Sequence, residues 1–399
     1  MKLTPAMQQY YDIKDQHKDS ILFFRMGDFY EMFWDDANIA HKVLWIALTT
    51  RNKNAENPIP LAWIPYHAKE KYLPLLVKAG YKIAIVEQVS DPKLKWIVKR
   101  EVVRVVTPAT LELEWESYVS VEASNYLVSI VLDSGIYGVS FLDIGTNKWV
   151  CSEFKDFEKL SSEIYKISPR EVVMSKALFD NQELKEVFSK KYSLNIYFFE
   201  SQNKSKTLLC NHFWVKNLEW FGIESKSVAQ SAAAQILEYL QANQKSDLTF
   251  LQTLAYENFS EFLDLDETTI RSLDLIYNVS TKSSKLWTLF WVLDDTKTSM
   301  WSRFLRDQIL YPLQDIKEIE KRQDFIEEFY NNPVLLDRVQ KKLKGVSDID
   351  AILNRIALNR AWVRDLTHLK KSLQAIVEAL DIIKNQGSKK LNSILSNLD

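Results

Sequence analysis

The spacing of apolar residues changes once along the chain, and this change constrains the fold more than any other feature. Up to about residue 245, short apolar runs at 21–26 and 82–86 alternate with segments of helical spacing. Beyond residue 255, apolar residues recur at intervals of three and four, as in Ile349, Ile352 and Ile356. Alternating strands and helices are typical of α/β domains, whereas the second pattern is typical of long amphipathic helices. The sequence therefore predicts a multidomain α/β plus all-α protein.

Two boundaries divide this pattern into three predicted domains. Residues 1–112 are predicted to form a small mixed α/β domain, and the acidic stretch 113–122 a loop. Residues 120–245 are predicted to form a second α/β domain, in which three consecutive strands between 126 and 154 make a meander. Residues 255–399 are predicted to form helices, and we expect their apolar stripes to be core.

Composition and charge exclude several classes of protein. The 399 residues carry a net charge of −2, so the total charge does not indicate a nucleic-acid partner. No apolar run reaches the ~18 residues that a membrane span requires, and the N-terminus turns polar too early for a signal peptide. Two cysteines, Cys151 and Cys210, are too few for a disulfide framework or a zinc site, so we expect a cytoplasmic protein.

The sequence lacks the motifs of common enzyme sites. It contains no GxxxxGK(S/T) phosphate loop and no GxGxxG, HExxH, GxSxG or CxxC motif, and its five histidines are scattered. We therefore assign no catalytic residue and no metal ligand. Asp133 and Asp143 lie on predicted strands, where paired carboxylates hold Mg²⁺ in nucleases. Two acids are too few for such a site, so a turn or capping role is favoured.

One stretch of the chain is basic. Residues 51–110 contain 11 Lys and Arg against 5 Asp and Glu, whereas residues 1–50 contain 5 against 7. A local excess of this kind is typical of a surface that faces phosphates. A solvated surface without a ligand is the commoner explanation, and charge alone favours it.

The run 23–33 carries the clearest functional signal. Gly27 and Asp28 interrupt it with a tight turn, which can project Phe29 away from the sheet. An exposed aromatic ring can enter a base step, unstack it and kink the duplex, and stacking contributes ~1–3 kcal/mol for any base. Glu31 follows two residues later and can reach the same base.

Glu31 is the unusual member of this run. Phosphates repel a carboxylate, so Glu31 contributes poorly to DNA affinity, but it can form a hydrogen bond to a base edge, particularly when protonated. In the alternative interpretation, Phe29 belongs to the core and Glu31 begins a helix, where the helix dipole favours an acid. The residues taken alone favour this alternative.

The same run, together with several that follow it, resembles the MutS family of DNA mismatch-recognition proteins. TPAMQQY at 4–10 and ILFFRMGDFYEMF at 21–33 resemble the opening of the family, and LDETTIR at 265–271 and LDDTKTSM at 293–300 resemble its core-domain signatures. The resemblance covers nearly the whole chain and is weak through 145–210. Further matching segments are LTTR at 48–51, PIPLA at 58–62, IPYHA at 64–68, AIVEQVSDP at 84–92 and VVRVVTP at 102–108.

The resemblance implies an architecture for each predicted domain. Residues 1–112 resemble the mismatch-binding domain of the family. Residues 120–245 resemble its connector domain, which has an RNase-H-like fold. Residues 255–399 resemble the first part of the helical core and lever, incomplete at the C-terminal end.

The resemblance also implies which residues bind DNA. Phe29 is expected to be the wedge that stacks on the mispaired base, and Glu31 the probe that forms a hydrogen bond to it. Met26 and Tyr30 are expected to flank these two residues. Arg51 and Arg104 are expected to contact the phosphate backbone of the DNA.

Partners and cofactors follow only from the resemblance. The expected ligand is double-stranded DNA with mismatches, and the expected partners are a second copy in a homodimer and a MutL-type repair protein, in the cytoplasm at the bacterial nucleoid. ATP and Mg²⁺ are expected only for an ATPase domain beyond residue 399, so the chain is expected to be a fragment that is not itself an enzyme. Two alternatives remain: an interaction scaffold that no longer discriminates mismatches, and a nuclease that uses Asp133 and Asp143.

Tryptophan outnumbers glycine in this chain by 12 to 8, although average usage predicts roughly 28 glycines at this length. The resemblance places tryptophan where the family has glycine, and overpacking at such sites costs about 1–3 kcal/mol each. We hypothesise that these codons are UGA, which some bacteria read as glycine and other genetic codes read as tryptophan. The positions are Trp45, Trp63, Trp96, Trp220, Trp287 and Trp301, with Trp34, Trp115, Trp291 and Trp362 as further candidates.

Overall fold

The computed structural model describes residues 4–51, 58–90, 98–110, 125–191, 194–244, 248–277, 286–358, 361–388 and 391–392. Within these ranges it contains two six-stranded sheets, followed along the chain by a helical region. None of the helices in the described ranges is both long and apolar enough to cross a membrane. The predicted class, α/β followed by helices, is confirmed at this level. The acidic loop predicted at 113–122 lies outside the described residues.

The first sheet is mixed and carries three helices. Its strands are β1 (Ser20–Met26), β2 (Phe29–Phe33), β3 (Thr49–Arg51), β4 (Ile59–Pro65), β5 (Lys82–Gln88) and β6 (Arg100–Val106). They lie in the order β3-β4-β2-β1-β5-β6, in which β1 and β5 are parallel and the other neighbours antiparallel. The helices are α1 (Pro5–Gln16), α2 (Trp34–Leu44) and α3 (Lys69–Lys78).

The helices cover the two faces of the first sheet unequally. Helices α2 and α3 bury one face, whose core includes Tyr30 and Met32, and we call it the closed face. Helix α1 covers part of the other face through Met7 and Tyr10. At the β1–β2 turn none of the described helices covers this second face, and Phe29 there is 38% exposed. We call it the open face.

A buried carboxylate fixes α1 on the open face. Asp36, on α2, accepts hydrogen bonds from the Tyr10 hydroxyl at 2.7 Å, the Lys14 Nζ at 2.8 Å and the backbone N–H of Leu22 at 3.0 Å. A buried carboxylate needs such partners to offset the loss of its hydration. The network therefore connects α1, α2 and β1, and it sets how much of the open face α1 covers.

The second sheet begins with the predicted meander. Its strands are β7 (Tyr126–Asp133), β8 (Ile136–Asp143), β9 (Lys148–Phe154), β10 (Glu171–Met174), β11 (Asn195–Phe198) and β12 (Ala255–Tyr256). Strands β7, β8 and β9 are antiparallel as predicted, and β10, β11 and β12 add in parallel to give the order β11-β10-β7-β8-β9-β12. The accompanying helices are α4 (Phe157–Ile167), α5 (Lys176–Phe179), α6 (Gln182–Glu186), α7 (Ser205–Phe213) and α8 (Ser227–Gln244).

Helix α8 lies directly on this sheet and is buried on nearly all sides. Its apolar residues Val228, Ala232 and Ile236 are buried, and so are polar residues between or beside them, including Gln235 and Glu238. At Gly138 on β8, a Cβ atom would come within 2.2 Å of the Val228 carbonyl oxygen. Glycine at this position is therefore required for the helix to approach the strand so closely.

The remaining described chain is helical. It contains α9 (Glu267–Ser272), α10 (Leu289–Leu293), α11 (Ser299–Leu310), α12 (Ile316–Tyr330), α13 (Pro333–Leu343), α14 (Ile349–Ala357) and α15 (Val363–Gln386). Helices α13 and α15 pack through Leu335 and Val339 against Ala379 and Ile383.

The prediction that the apolar stripe of α15 is core is wrong in part. Leu366 and Leu373 are both more than half exposed. The buried face of α15 instead includes Asp365, which accepts a hydrogen bond from Arg355 of α14 at 2.8 Å. It also includes Ser372, whose hydroxyl accepts one from a backbone N–H at 2.9 Å. Apolar periodicity does not reveal these polar contacts.

Several tryptophans occupy backbone conformations that suit glycine. Eight non-glycine residues in the described chain have positive φ, and four of them are Trp34, Trp45, Trp214 and Trp287, with φ between 51° and 65°. Trp45 and Trp214 end α2 and α7 in the left-handed cap position, where glycine is the usual residue. Both of these side chains are almost fully exposed. Trp214 is an addition to the positions suspected from the sequence.

Trp149 behaves as an ordinary core tryptophan. It is fully buried, and its Nε1–H donates to the Ser140 hydroxyl at 2.9 Å. Other tryptophans are exposed without a positive φ, so the backbone does not require glycine there: Trp63, Trp220, Trp291, Trp301 and Trp362. Trp96 and Trp115 lie outside the described residues.

The two helix-cap tryptophans give a direct test of the glycine hypothesis. A left-handed residue other than glycine costs about 1–2 kcal/mol, and the greater freedom of glycine in the unfolded chain offsets about 0.5–1 kcal/mol of that gain. We therefore expect Trp45→Gly and Trp214→Gly each to raise the free energy of unfolding by roughly 0.5–1 kcal/mol. Urea unfolding measures this change.

The matched control is Trp149→Gly, which we expect to lower the free energy of unfolding by more than about 3 kcal/mol because it opens a core cavity. If both cap variants are less stable than the parent, these positions do not favour glycine. Codons UGG at 45 and 287 would contradict the recoding hypothesis separately.

Candidate nucleic-acid interface

A two-residue turn sets the geometry of the candidate site. Gly27 and Asp28 connect β1 to β2, and Gly27 adopts φ +61°, which glycine reaches without strain. Met26 and Phe29 are the first cross-strand pair after the turn. Phe29 therefore lies at the tip of the hairpin, where the sheet ends and none of the described helices covers it.

Phe29 and Glu31 lie on the open face together. Side chains alternate along β2, so residues two apart share a face. Glu31 pairs with Trp63 on β4, and the rings of Phe29 and Trp63 meet edge to face with centroids 4.7 Å apart. Met26, opposite Phe29, is half-buried beside them. The open face thus presents two aromatic rings, a thioether and a carboxyl group within one small area.

The expectation that Tyr30 lies beside Phe29 and Glu31 is corrected by the structure. Tyr30 points to the closed face, where it is buried against Phe23. Its hydroxyl donates to the carboxylate of Glu87, and burial together with this hydrogen bond raises the pKa of Tyr30. The reason is the same alternation along β2: an immediate neighbour of Phe29 must point the other way.

Glu31 lies in a partly desolvated position between two arginines. Its Oε2 is buried and accepts no hydrogen bond from the described residues, although Arg51 Nη1 lies 3.5 Å away. Burial raises the pKa of Glu31, while Arg51 and then Arg100 act in the opposite direction without cancelling it. The carboxyl group is therefore easier to protonate than an ordinary glutamate.

Arg51 is on the open face and partly exposed, at the edge strand β3. Its guanidinium lies 5.7 Å from the ring centre of Phe33, and its Nη1 is 3.8 Å from the Met7 sulfur. Within the described part of the chain, the guanidinium meets a weak sulfur acceptor and one distant carboxylate, and such contacts use little of its hydrogen-bonding capacity. Arg51 can therefore reach a phosphate at the margin of the site.

Arg104 is not on this surface, contrary to the expectation that it contacts the DNA backbone. Its side chain is buried opposite Ile85, a residue of the closed-face core, and its Nη2 donates to the carbonyl of Thr110 at 3.4 Å. The register shifts at this point, because Val86 pairs with Val102 while Ile85 pairs with Arg104. The extra residue is a β-bulge, which sends Arg104 to the other face.

Arg100 is the residue that sequence reasoning missed. It lies four positions before Arg104 but ahead of the bulge, so it is on the open face, 5.2 Å from the Phe24 ring centre. Its guanidinium donates to the carbonyl oxygens of Arg25 at 2.7 Å and Val98 at 3.1 Å. Burial lowers the pKa of Arg100, and Glu31 partly opposes that shift. Arg100 and Arg104 lie on opposite faces of the sheet because the bulge falls between them.

The two acids considered for a nuclease site are far apart. Asp133 pairs at one end of the β7–β8 hairpin, with Ile136, whereas Asp143 pairs at the other end, with Tyr126. Seven residues of strand separate them, about 23 Å at the usual rise. Asp143 accepts a hydrogen bond from the Gly145 N–H at 2.9 Å, which is the turn role that the sequence favours. No group of three metal-ligating side chains occurs among the described residues.

Comparison with known proteins identifies the family. Models of three MutS domains match in chain order: MutS domain I at residues 4–114, MutS domain II at 125–252 and MutS domain III at 268–398. The chain belongs to the MutS family. The MutS domain I segment encloses the whole first sheet, including Phe29 and Glu31.

Similar curated proteins carry the same family name. The chain is 40% identical over 390 residues to "DNA mismatch repair protein MutS" of Methanococcoides burtonii, covering 96% of this chain and 44% of that protein. It is 37% identical over 399 residues to the protein of that name from Streptococcus mutans, covering 100% and 45%. It is 40% identical over 379 residues to that of Halothermothrix orenii, covering 93% and 42%. The chain thus spans less than half the length of these relatives.

The raised pKa of Glu31 predicts how this residue affects stability. An acid whose pKa is higher in the folded state than in the unfolded state stabilises the fold when protonated, and that contribution is lost as the pH rises through the raised value. We therefore expect Glu31→Gln, which is neutral at every pH, to be more stable than the parent at pH 7. The difference is expected to vanish in acid, in unfolding curves measured across pH.

Glu70→Gln on α3 removes an exposed glutamate from the same domain and controls for the change in net charge. If Glu31→Gln is less stable than the parent at pH 7 while Glu70→Gln is unchanged, the ion pair with Arg51 outweighs the burial of the carboxylate.

Proposed function

We propose that this chain recognises mismatched or unpaired bases in duplex DNA, and that this recognition initiates DNA mismatch repair. The observation that carries the proposal is the pair formed by Phe29 and Glu31. An exposed aromatic ring and a half-buried carboxyl group project from the open face, two residues apart. The family membership and the names of the relatives support the same activity.

In this proposal Phe29 is the wedge. Its ring enters the base step at the mispair and unstacks it, which kinks the duplex. Unstacking and kinking cost less at a mispaired step than at a matched one, so the same ring binds the two duplexes with different affinity. Met26, next to Phe29, extends the apolar surface that contacts the bases.

Glu31 is the probe of the mispaired base. A carboxylate close to the phosphates is repelled, which would weaken binding to any duplex. A protonated carboxyl group loses that repulsion and gains an O–H donor for an acceptor on the base edge. The burial that raises the pKa of Glu31 supports this protonated form. Arg51 contacts the phosphate backbone beside it, and Tyr30 supports β2 from the closed face.

The other domains enter the proposal through the resemblance. We infer that the second sheet and its helices form a connector with an RNase-H-like fold, which the meander of β7, β8 and β9 extended by parallel β10 supports. We infer that the helical region is part of a core and lever. ATP and Mg²⁺, a homodimer and a MutL-type partner remain proposals for a protein of the relatives' length.

Replacing the wedge tests the proposed function. We expect Phe29→Ala to abolish the preference for a mismatched over a matched duplex, because the stacking energy of ~1–3 kcal/mol is lost only where the ring inserts. Binding to both duplexes is measured by fluorescence anisotropy at one fixed salt concentration. Phe325→Ala is the matched control, since Phe325 on α12 is also 38% exposed.

If Phe29→Ala keeps the parent's preference, Phe29 is not the wedge. If the parent itself binds both duplexes equally, the interaction-scaffold alternative is supported and mismatch recognition is contradicted.

Trp63 adds a prediction about access to the wedge. Phe29 must leave its edge-to-face contact with Trp63 to stack on a base, and such a contact contributes about 0.5–1.5 kcal/mol. We expect Trp63→Gly to raise the affinity for a mismatched duplex roughly 2- to 10-fold. Trp220→Gly makes the same change at an exposed site of the second domain and is expected to have no effect. An unchanged or weakened affinity in Trp63→Gly would show that Trp63 does not restrain Phe29.

A further inference from the structure

The ion pair between Arg51 and Glu31 connects two groups that the proposed function uses separately. Arg51 comes from the edge strand β3 and Glu31 from β2 near the sheet centre, with Nη1 and Oε2 3.5 Å apart. This distance is longer than a charge-assisted hydrogen bond, which is about 2.7–2.9 Å. Oε2 is buried and accepts no hydrogen bond from the described residues. The two charges therefore attract each other, but they do not form a hydrogen bond.

The remaining contacts of Arg51 with residues that the structure describes are weak as well. Its Nη1 is directed at the Met7 sulfur at 3.8 Å, and the Phe33 ring centre lies 5.7 Å from the guanidinium carbon. A thioether is a poor acceptor for a cation with five N–H donors, whereas a phosphate can accept two of them side by side. A DNA phosphate can therefore offer this guanidinium shorter and more numerous hydrogen bonds than the contacts at 3.5 Å to Glu31 and 3.8 Å to Met7.

Arg100 is the second charged group that acts on Glu31, and it is held differently. Its guanidinium donates to two backbone carbonyl oxygens, at 2.7 Å and 3.1 Å, and lies against the Phe24 ring. Both acceptors are backbone carbonyl groups of the protein itself, so duplex binding does not require Arg100 to give up these hydrogen bonds. Of the two arginines whose charge acts on Glu31, Arg51 is the one whose partner can be exchanged.

We propose that Arg51 is a positioning residue for Glu31, which holds the carboxylate while DNA is absent and releases it when a backbone phosphate takes the guanidinium. This inference rests on the proposed function and adds a regulation of the same site. Release leaves Glu31 half-buried without its nearest counter-ion. The carboxylate then takes up one proton from solvent and becomes the neutral O–H donor that a base edge can accept.

The ionisation of Glu31 can be followed directly in the full chain. The ¹³C signal of its side-chain carboxyl group is titrated by NMR, with and without a matched duplex, at one ionic strength. We expect the duplex to raise the pKa of Glu31 in the parent. We expect Arg51→Gln to raise it already without DNA, and the duplex to add little further change in that variant.

Two other variants make the test specific. Lys99→Gln removes an exposed cation immediately before β6 that pairs with Glu101, and we expect it to leave the Glu31 titration and its response to the duplex as in the parent. Arg51→Lys keeps the charge but cannot bind a phosphate with two parallel hydrogen bonds, so we expect a smaller response to the duplex. This variant also provides the measurement if Arg51→Gln does not fold.

Two results would overturn the inference. One is a Glu31 titration that is the same in Arg51→Gln and the parent, and the other is a duplex-induced rise that persists in full in Arg51→Gln. Neither result bears on the wedge, which is judged by the effect of Phe29→Ala on discrimination. If the parent discriminates mismatches but the pKa of Glu31 does not depend on Arg51, the proposed function stands and this inference is wrong.

Discussion

The alternation of side chains along β2 is the constraint on which the candidate site depends. It directs Tyr30 and Met32 into the core beneath α2 and α3, and it thereby directs Phe29 and Glu31 to the open face. A register slip of one residue would exchange the two sets. The two-residue turn at Gly27 and Asp28 and the pairing of β2 with strands on both sides hold the register. The packing of the core and the exposure of Phe29 therefore have the same structural cause.

The partial cover by α1 determines the electrostatics of that face. Asp36 anchors α1 through Tyr10 and Lys14, so the helix covers the middle of the open face and leaves the hairpin tip uncovered. Glu31 lies between the covered and uncovered parts. It is buried enough for its pKa to be raised and close enough to Arg51 to keep a charged partner. A fully exposed glutamate would stay ionised and be repelled by DNA, and a fully buried one could not reach a base.

Periodicity and turn residues predicted much of the fold. The strands that became β1, β5, β7, β8 and β9 follow from short apolar runs between turns. The same period of two already separates Tyr30 from Phe29. Arg104 could not be excluded in this way, because the bulge opposite Ile85 and Val86 reverses the facing of later residues. The sequence likewise did not indicate Trp214 as a position that suits glycine, because its left-handed backbone at the end of α7 is visible only in the structure.

The central claim is that Phe29 and Glu31 together contact the mispaired base from the open face. A crystal structure of the chain bound to a duplex with a single G·T mismatch tests it most directly. The account predicts the Phe29 ring stacked on one base of the mispair, away from Trp63, with the Glu31 carboxyl group within hydrogen-bond distance of the same base. DNA bound elsewhere on the chain, with Phe29 still packed edge to face against Trp63, would contradict it.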